Sequence, residues 1–256
     1  AQATILEGQI LNNKYKIVRQ LAKGGESIVY EGIQMSMNNR VVAIKIWTSS
    51  RLLDNAHNDE MDKLIALSDN PHVADVYDYE TDNQLGVSYL VIEHAANGTL
   101  EDLMVEQGAL PLTEAQRIFH QICVALDVMH SKNIIHLDIK PSNILFDSDN
   151  RVQVTDFGIS KLKEQATTWS STSGTPGYVD PDIMTGGSTG TPQSDIYSLG
   201  ILLHQMLTGK SPEHHSVFEQ GVDETLPAPI IDVIELATDL EPDNRFETIA
   251  LFEAAF

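Results

Sequence analysis

One short segment, Ile135-His136-Leu137-Asp138-Ile139-Lys140-Pro141-Ser142-Asn143-Ile144-Leu145, sets three chemistries on a single loop. They are the carboxylate of Asp138, the ammonium of Lys140 and the amide of Asn143. Phosphoryl transfer needs those three close together. A carboxylate receives or orients the attacking hydroxyl, a fixed cation meets the migrating phosphate, and an amide oxygen holds a magnesium ion. Downstream, Asp156-Phe157-Gly158 offers a second carboxylate suited to magnesium. Upstream, Val42-Ala43-Ile44-Lys45 is a strand-like run that ends in a lysine.

In this order and at this spacing the motifs resemble the protein kinase catalytic domain, over a stretch from Tyr15 to Phe246. The resemblance implies an α+β, two-lobed fold with ATP and Mg²⁺ in the cleft. It puts a small, mainly β N-lobe at residues 12–93 and a larger, mainly α C-lobe at 94–256. The pattern along the chain agrees. Tyr15-Lys16-Ile17-Val18, Val41 to Trp47 and Tyr89-Leu90-Val91-Ile92 read as strands, and Glu60 to Leu67 has helical spacing. After Asn97-Gly98 the pattern turns helical, over Leu100 to Val105, Thr113 to His130, Gln193 to Leu207 and Ala228 to Leu240. Thr113-Glu114-Ala115-Gln116 reads as a capping box.

The resemblance also assigns roles. Asp138 orients the acceptor hydroxyl and Lys140 meets the γ-phosphate. Asn143 and Asp156 hold magnesium. Lys45 contacts the α- and β-phosphates and is braced by an acid of the first helix, read as Glu60 with Asp59 and Asp62 as competitors. Leu21-Ala22-Lys23-Gly24-Gly25-Glu26-Ser27-Ile28-Val29-Tyr30 looks like the glycine-rich loop over ATP. Glycine there lets backbone N–H groups approach an anion. Gly24 keeps the family's central glycine, whereas Ala22 and Ser27 replace the outer two. Ile92-Glu93-His94-Ala95 looks like the hinge. Backbone at Glu93 and Ala95 meets the adenine, Ile92 walls the pocket, and Val29, Ala43 and Leu145 sandwich the ring. His136 and Phe157 pack as spine residues. Asp195 holds the catalytic loop, and Asp182 pairs with Arg245.

Lys140 and Thr175 favour serine or threonine as acceptor, and the opening Gly8 to Val18 resembles bacterial serine/threonine kinases. The reading is therefore transfer of the ATP γ-phosphate to Ser/Thr hydroxyls of protein substrates, autophosphorylation included. The competing reading is a pseudokinase, a nucleotide-binding scaffold, suggested by Ala22, Ser27 and Leu137. A small-molecule kinase on the same fold is disfavoured by the Thr175 segment. Ser142 and Thr99 stand where arginine-directed kinases carry glutamate, so no strong requirement for arginine two or three residues before the acceptor is expected.

Leu137 replaces the arginine that receives an activation-loop phosphate in kinases switched that way, and leucine cannot do so. Phosphorylation between Lys161 and Thr175 should then change the rate little. Control would come from partner binding, a homodimer or regulatory flanking domains.

The net charge of −21 comes from 16 Lys and Arg against 37 Asp and Glu. Such a surface repels phosphate backbones, so nucleic acid is not an expected partner. No apolar run approaches the roughly 18 residues of a membrane span, and no signal-peptide pattern opens the chain. The single cysteine, Cys123, forbids an internal disulfide and suits a reducing cytoplasmic setting. A start at Ala1 rather than Met suggests a piece of something longer.

Overall fold

A computed structural model describes residues 6–23, 27–47, 67, 69–156, 177–186, 188–212 and 216–256. Its class is α+β, with a sheet unit and a helical unit. One compact unit is Ala1–Asp69 with Ala74–Ala96, and the other is Asn70–Val73 with Asn97–Phe256.

The first unit is a six-stranded sheet, built from β1 (Ile10–Leu11), β2 (Tyr15–Lys23), β3 (Ser27–Gln34), β4 (Arg40–Trp47), β5 (Val76–Asp82) and β6 (Val87–Glu93). The order is β1-β2-β3-β4-β6-β5, antiparallel throughout. β-branched and aromatic residues alternate along β3 and β4, which suits a pleated surface with one covered face. Opposed pairs Ile28↔Ile46, Tyr30↔Ile44, Ile44↔Val91 and Ile46↔Tyr89 fill that face and join one buried cluster. The turn between β1 and β2 uses Asn12 and Asn13 at φ 45 and 58, which asparagine tolerates. Asn12 then donates from its backbone N–H to Asp82 at 2.8 Å and from its amide to Glu80 at 2.8 Å. The Tyr15 hydroxyl donates to Asp78 at 2.8 Å. These bonds curl the sheet, so the acids of edge strand β5 meet the β1–β2 turn.

The second unit holds α1 (Leu100–Gln107), α2 (Leu112–Ser131), a 3₁₀ turn at Pro141–Asn143, the hairpin β7 (Ile144–Phe146) and β8 (Val152–Val154), α3 (Pro181–Met184), α4 (Pro192–Thr208), α5 (Val217–Gln220), α6 (Ala228–Ala237) and α7 (Ile249–Ala255). α2 buries Ala115, Ile118, Phe119, Ile122, Cys123, Ala125, Leu126 and Met129, the spacing of one helix face. Burial pushes the Cys123 thiol up, so it is a structural thiol. Capping boxes open α1 at Thr99/Asp102 and α4 at Thr191/Ser194. The expected box at Thr113 does not form. Pro111, at φ −56, starts α2 without a side-chain cap, which moves Thr113 inside the helix. No helix among the described residues is long and apolar enough to cross a membrane.

Candidate active site

The loop from Ile135 to Leu145 is held from below by one residue of α4. The fully buried Asp195 accepts from the N–H of His136 at 2.8 Å, from the N–H of Leu137 at 2.7 Å and from the His130 ring at 2.8 Å. Those bonds fix Leu137 at φ 65, a left-handed conformation that costs a non-glycine residue about 1–2 kcal/mol. The Leu137 side chain lies against Gly190. A Cβ at Gly190 would stand 2.5 Å from Leu137 Cδ2. His136 is buried, and burial holds its ring below the usual 6.5. Its Nδ1 accepts from the N–H of Asp138 at 3.1 Å, so Nε2 carries the proton and donates to the Thr155 carbonyl at 2.9 Å. A neutral histidine thus ties the loop to the end of β8.

Asp138 is fixed on one oxygen. The Asn143 amide donates to the Asp138 carbonyl at 2.8 Å and to Asp138 Oδ2 at 2.9 Å. Lys140 Nζ stands 3.1 Å from the same Oδ2. Among the described residues nothing donates to Oδ1 of Asp138, and the side chain keeps 26% of its surface exposed. Two bonds aim the carboxylate and leave an accepting oxygen open. Asn143 gives both amide hydrogens to Asp138, so its own oxygen accepts from no described residue. Asp156 follows β8 at φ 63 and is half-buried. Its charge and that of Asp138 both act on His136.

In the sheet unit the register gathers the other expected residues on one face. Directly opposed residues share a face, as do residues two apart on a strand. The pairs Ala22↔Val29, Val29↔Lys45, Lys45↔Leu90 and Ala43↔Ile92 put Ala22, Val29, Ala43, Lys45 and Ile92 together. This is the face opposite the Tyr30–Ile44–Val91 cluster. The Lys45 ammonium lies 5.7 Å from the Trp47 ring. The Glu93 N–H donates to the Asp75 carbonyl at 2.9 Å, so a ligand bond at Glu93 has to use its carbonyl. No backbone hydrogen bond among the described residues engages Ala95, which follows β6. Leu145 lies on β7 in the helical unit, 7% exposed, bridged to Thr99. Gly24, Glu60, Phe157 and the segment from Lys161 to Thr175 fall outside the described residues.

One expected pair is different. Arg245 binds Asp180, not Asp182. Its guanidinium meets both Asp180 oxygens, at 2.8 and 2.9 Å, with both side chains fully buried. It also donates to the carbonyls of Asp239 at 2.7 Å and Gln193 at 3.0 Å and stacks over Tyr197. Asp180 caps α3 by accepting from the Asp182 N–H at 3.1 Å, which turns its carboxylate inward. The Asp-Pro start of a helix was the available signal for this cap. A second arrangement had no such signal: Tyr178 donates to Gln205, and Ser198 donates to the Tyr178 carbonyl at 2.8 Å.

Residues 15–248 match the model of the protein kinase domain. A probable serine/threonine-protein kinase of Clostridium perfringens is 33% identical over 94% of this chain and 37% of its own length. The probable serine/threonine-protein kinase PknB of Lactococcus lactis is 35% identical over 80% of this chain and 33% of its own. That named pknA2 in Bifidobacterium longum is 36% identical over 80% of this chain and 28% of its own. The chain therefore spans about a third of the length of these curated relatives.

Proposed function

The chain belongs to the protein kinase domain family, and from that premise we propose that it transfers the γ-phosphate of ATP to serine or threonine hydroxyls of proteins, its own included. The observation that carries the reading is Asp138, anchored through Oδ2 by Asn143 and Lys140 with Oδ1 open. In the proposed step the acceptor hydroxyl oxygen bonds to the γ-phosphorus as the bond to the β-phosphate oxygen breaks. The hydroxyl proton passes to Asp138 Oδ1, and ADP leaves with the bonding pair. Lys140 offers a fixed cation beside the acceptor. Aligning the reacting groups and offsetting charge supply most of such a rate enhancement.

The donor set fits a hard divalent ion. Asn143 has an amide oxygen not engaged by any described residue, and Asp156 adds a carboxylate, the oxygen ligands that magnesium prefers. Held by Asn143 and Asp156, magnesium would neutralise developing phosphate charge. On the sheet unit, Val29 and Ala43 would meet the adenine and Ile92 would wall it. The Glu93 carbonyl and the Ala95 N–H would take its polar edge, Ala22 would border the phosphates, and Lys45 would hold them. Leu145, on β7 of the helical unit, enters this reading from the family resemblance alone. Gly24 and Glu60 enter this reading from the family resemblance alone.

Homodimerisation or flanking domains would control the activity, and a reducing, cytoplasmic setting suits the single buried thiol. The test is incubation with ATP and a serine- or threonine-containing protein, with and without a magnesium chelator, followed by identification of the phosphorylated residue. Chelator-sensitive phosphoserine or phosphothreonine supports the reading, and phosphotyrosine alone would overturn it.

A further inference from the structure

We infer that the Trp47 indole is a positioning shelf for the Lys45 ammonium, holding it toward the phosphates of a nucleotide, an inference that rests on the kinase reading above. The contact lies wholly within the sheet unit. Lys45 and Trp47 stand two residues apart on β4 and so share a face. Lys45 Nζ lies 5.7 Å from the centroid of the Trp47 ring, within the roughly 6 Å over which a ring face attracts a cation. Lys45 is half-buried, and such an attraction strengthens as water is removed.

The indole itself is held in place. Trp47 is only 4% exposed. Its ring meets the Tyr79 ring edge-on, with centroids 6.1 Å apart and planes at 77°. The register makes room for it. Ser27 on β3 and Ser88 on β6, two small residues, directly oppose Trp47. The Ser88 hydroxyl is engaged by Thr81 at 3.0 Å. One row along, Val29 and Leu90 oppose Lys45, and these aliphatic side chains offer an ammonium no attraction.

The chemistry of such a shelf suits the task. A ring face attracts the charge as a whole and leaves the ammonium's N–H donors for phosphate oxygens. It adds to the other interactions of Lys45. The simpler alternative is that Trp47 only fills the face of the sheet. Loss of a space-filler would disturb nucleotide binding equally, whatever stands at position 45. A shelf makes the effect depend on the Lys45 charge, and that dependence separates the two readings. A contact of this kind shifts an equilibrium by about two- to thirtyfold.

The experiment compares the unmutated chain with Trp47→Phe and Trp47→Leu, each also made in a Lys45→Met background. Calorimetry measures binding of ADP with Mg²⁺, and steady-state kinetics on one peptide gives kcat and KM for ATP. With Lys45 present, Trp47→Leu should weaken ADP binding and raise KM for ATP about fivefold, with kcat changed less than twofold. Trp47→Phe keeps a ring and should stay within about twofold of the unmutated chain. With Lys45→Met, Trp47→Leu should change ADP binding by less than twofold. An equal loss in both backgrounds, or no loss with Lys45 present, would overturn the inference. A second measurement needs neither variant to fold nor nucleotide to bind. In lysine-labelled unmutated protein, the Lys45 ε-methylene protons, assigned by their loss in Lys45→Met, should resonate upfield of the other lysines under the indole ring current. If ADP does not bind and no peptide is phosphorylated, the kinase reading fails and the ring current decides the shelf. An upfield Lys45 signal sustains it, and an undisplaced signal rejects it.

Discussion

Arg245 and Asp180 form a bidentate, fully buried ion pair, joining the chain just before α3 to the segment after the 3₁₀ turn at Pro242–Asn244. Removing one partner of such a pair leaves a buried charge alone, at a cost of about 3–5 kcal/mol. Asp180→Asn should therefore lower unfolding stability by about that amount. Asp182→Asn, at the position expected from sequence, should change it by less than about 1 kcal/mol. Urea denaturation of the two variants measures the contrast, and a larger loss for Asp182→Asn would reject the pairing.

The same residues contribute to the acid response, beside the depressed carboxyls of Glu80, Asp82, Glu114, Asp147 and Asp223. Burial alone would raise the Asp180 carboxyl, but Arg245 holds it below the usual 3.8. A depressed carboxyl contributes stability that is whole above its unfolded value and is lost as pH falls through the folded one. Burial also lowers His136 from 6.5, so the unfolded chain binds that proton first and stability begins to fall below 6.5. Urea midpoints across pH should show a shallow decline below 6.5 and a steeper one below 3.8. In Asp180→Asn the lower decline should flatten while the upper one stays.

Leu137 and Gly190 should be energetically coupled. An alanine at Gly190 would sit at φ 109 and crowd Leu137 Cδ2 at 2.5 Å. Overpacking plus backbone strain predicts a loss of about 2–3 kcal/mol for Gly190→Ala. Adding Leu137→Ala should recover the steric share and leave the backbone share. A double-mutant cycle in urea should give a coupling above about 0.5 kcal/mol, and strict additivity would deny the contact.

A leucine seated on Gly190 offers no cation to a phosphate. Replacing Thr167, Thr168, Ser170, Ser171, Thr172 and Ser173 by alanine, with Thr175 kept, should alter the catalytic rate by less than tenfold. Steady-state kinetics on one peptide measures it. A larger loss, about 1.4 kcal/mol or more of barrier, would show that the segment is a phosphorylation switch.

The sequence made the loop chemistry readable because Asp138, Lys140 and Asn143 lie within one turn and its 3₁₀ start. It made the shared face of Val29, Ala43, Lys45 and Ile92 readable because strand alternation has a fixed period of two. It hid what tertiary partners decide. Val76–Asp82 carries Asp78, Glu80 and Asp82, acids that discourage a strand assignment until Asn12, Lys14 and Tyr15 engage them. The choice between Asp180 and Asp182 depends on which way a helix cap turns a carboxylate.

The most direct test of the account concerns the open oxygen of Asp138. The chain and its Asp138→Ala variant are incubated with labelled ATP, Mg²⁺ and a generic basic protein, and transferred phosphate is counted. Removing a group that acts in the transition state predicts a loss on the order of a thousandfold or more. Equal transfer by the two proteins would contradict the account.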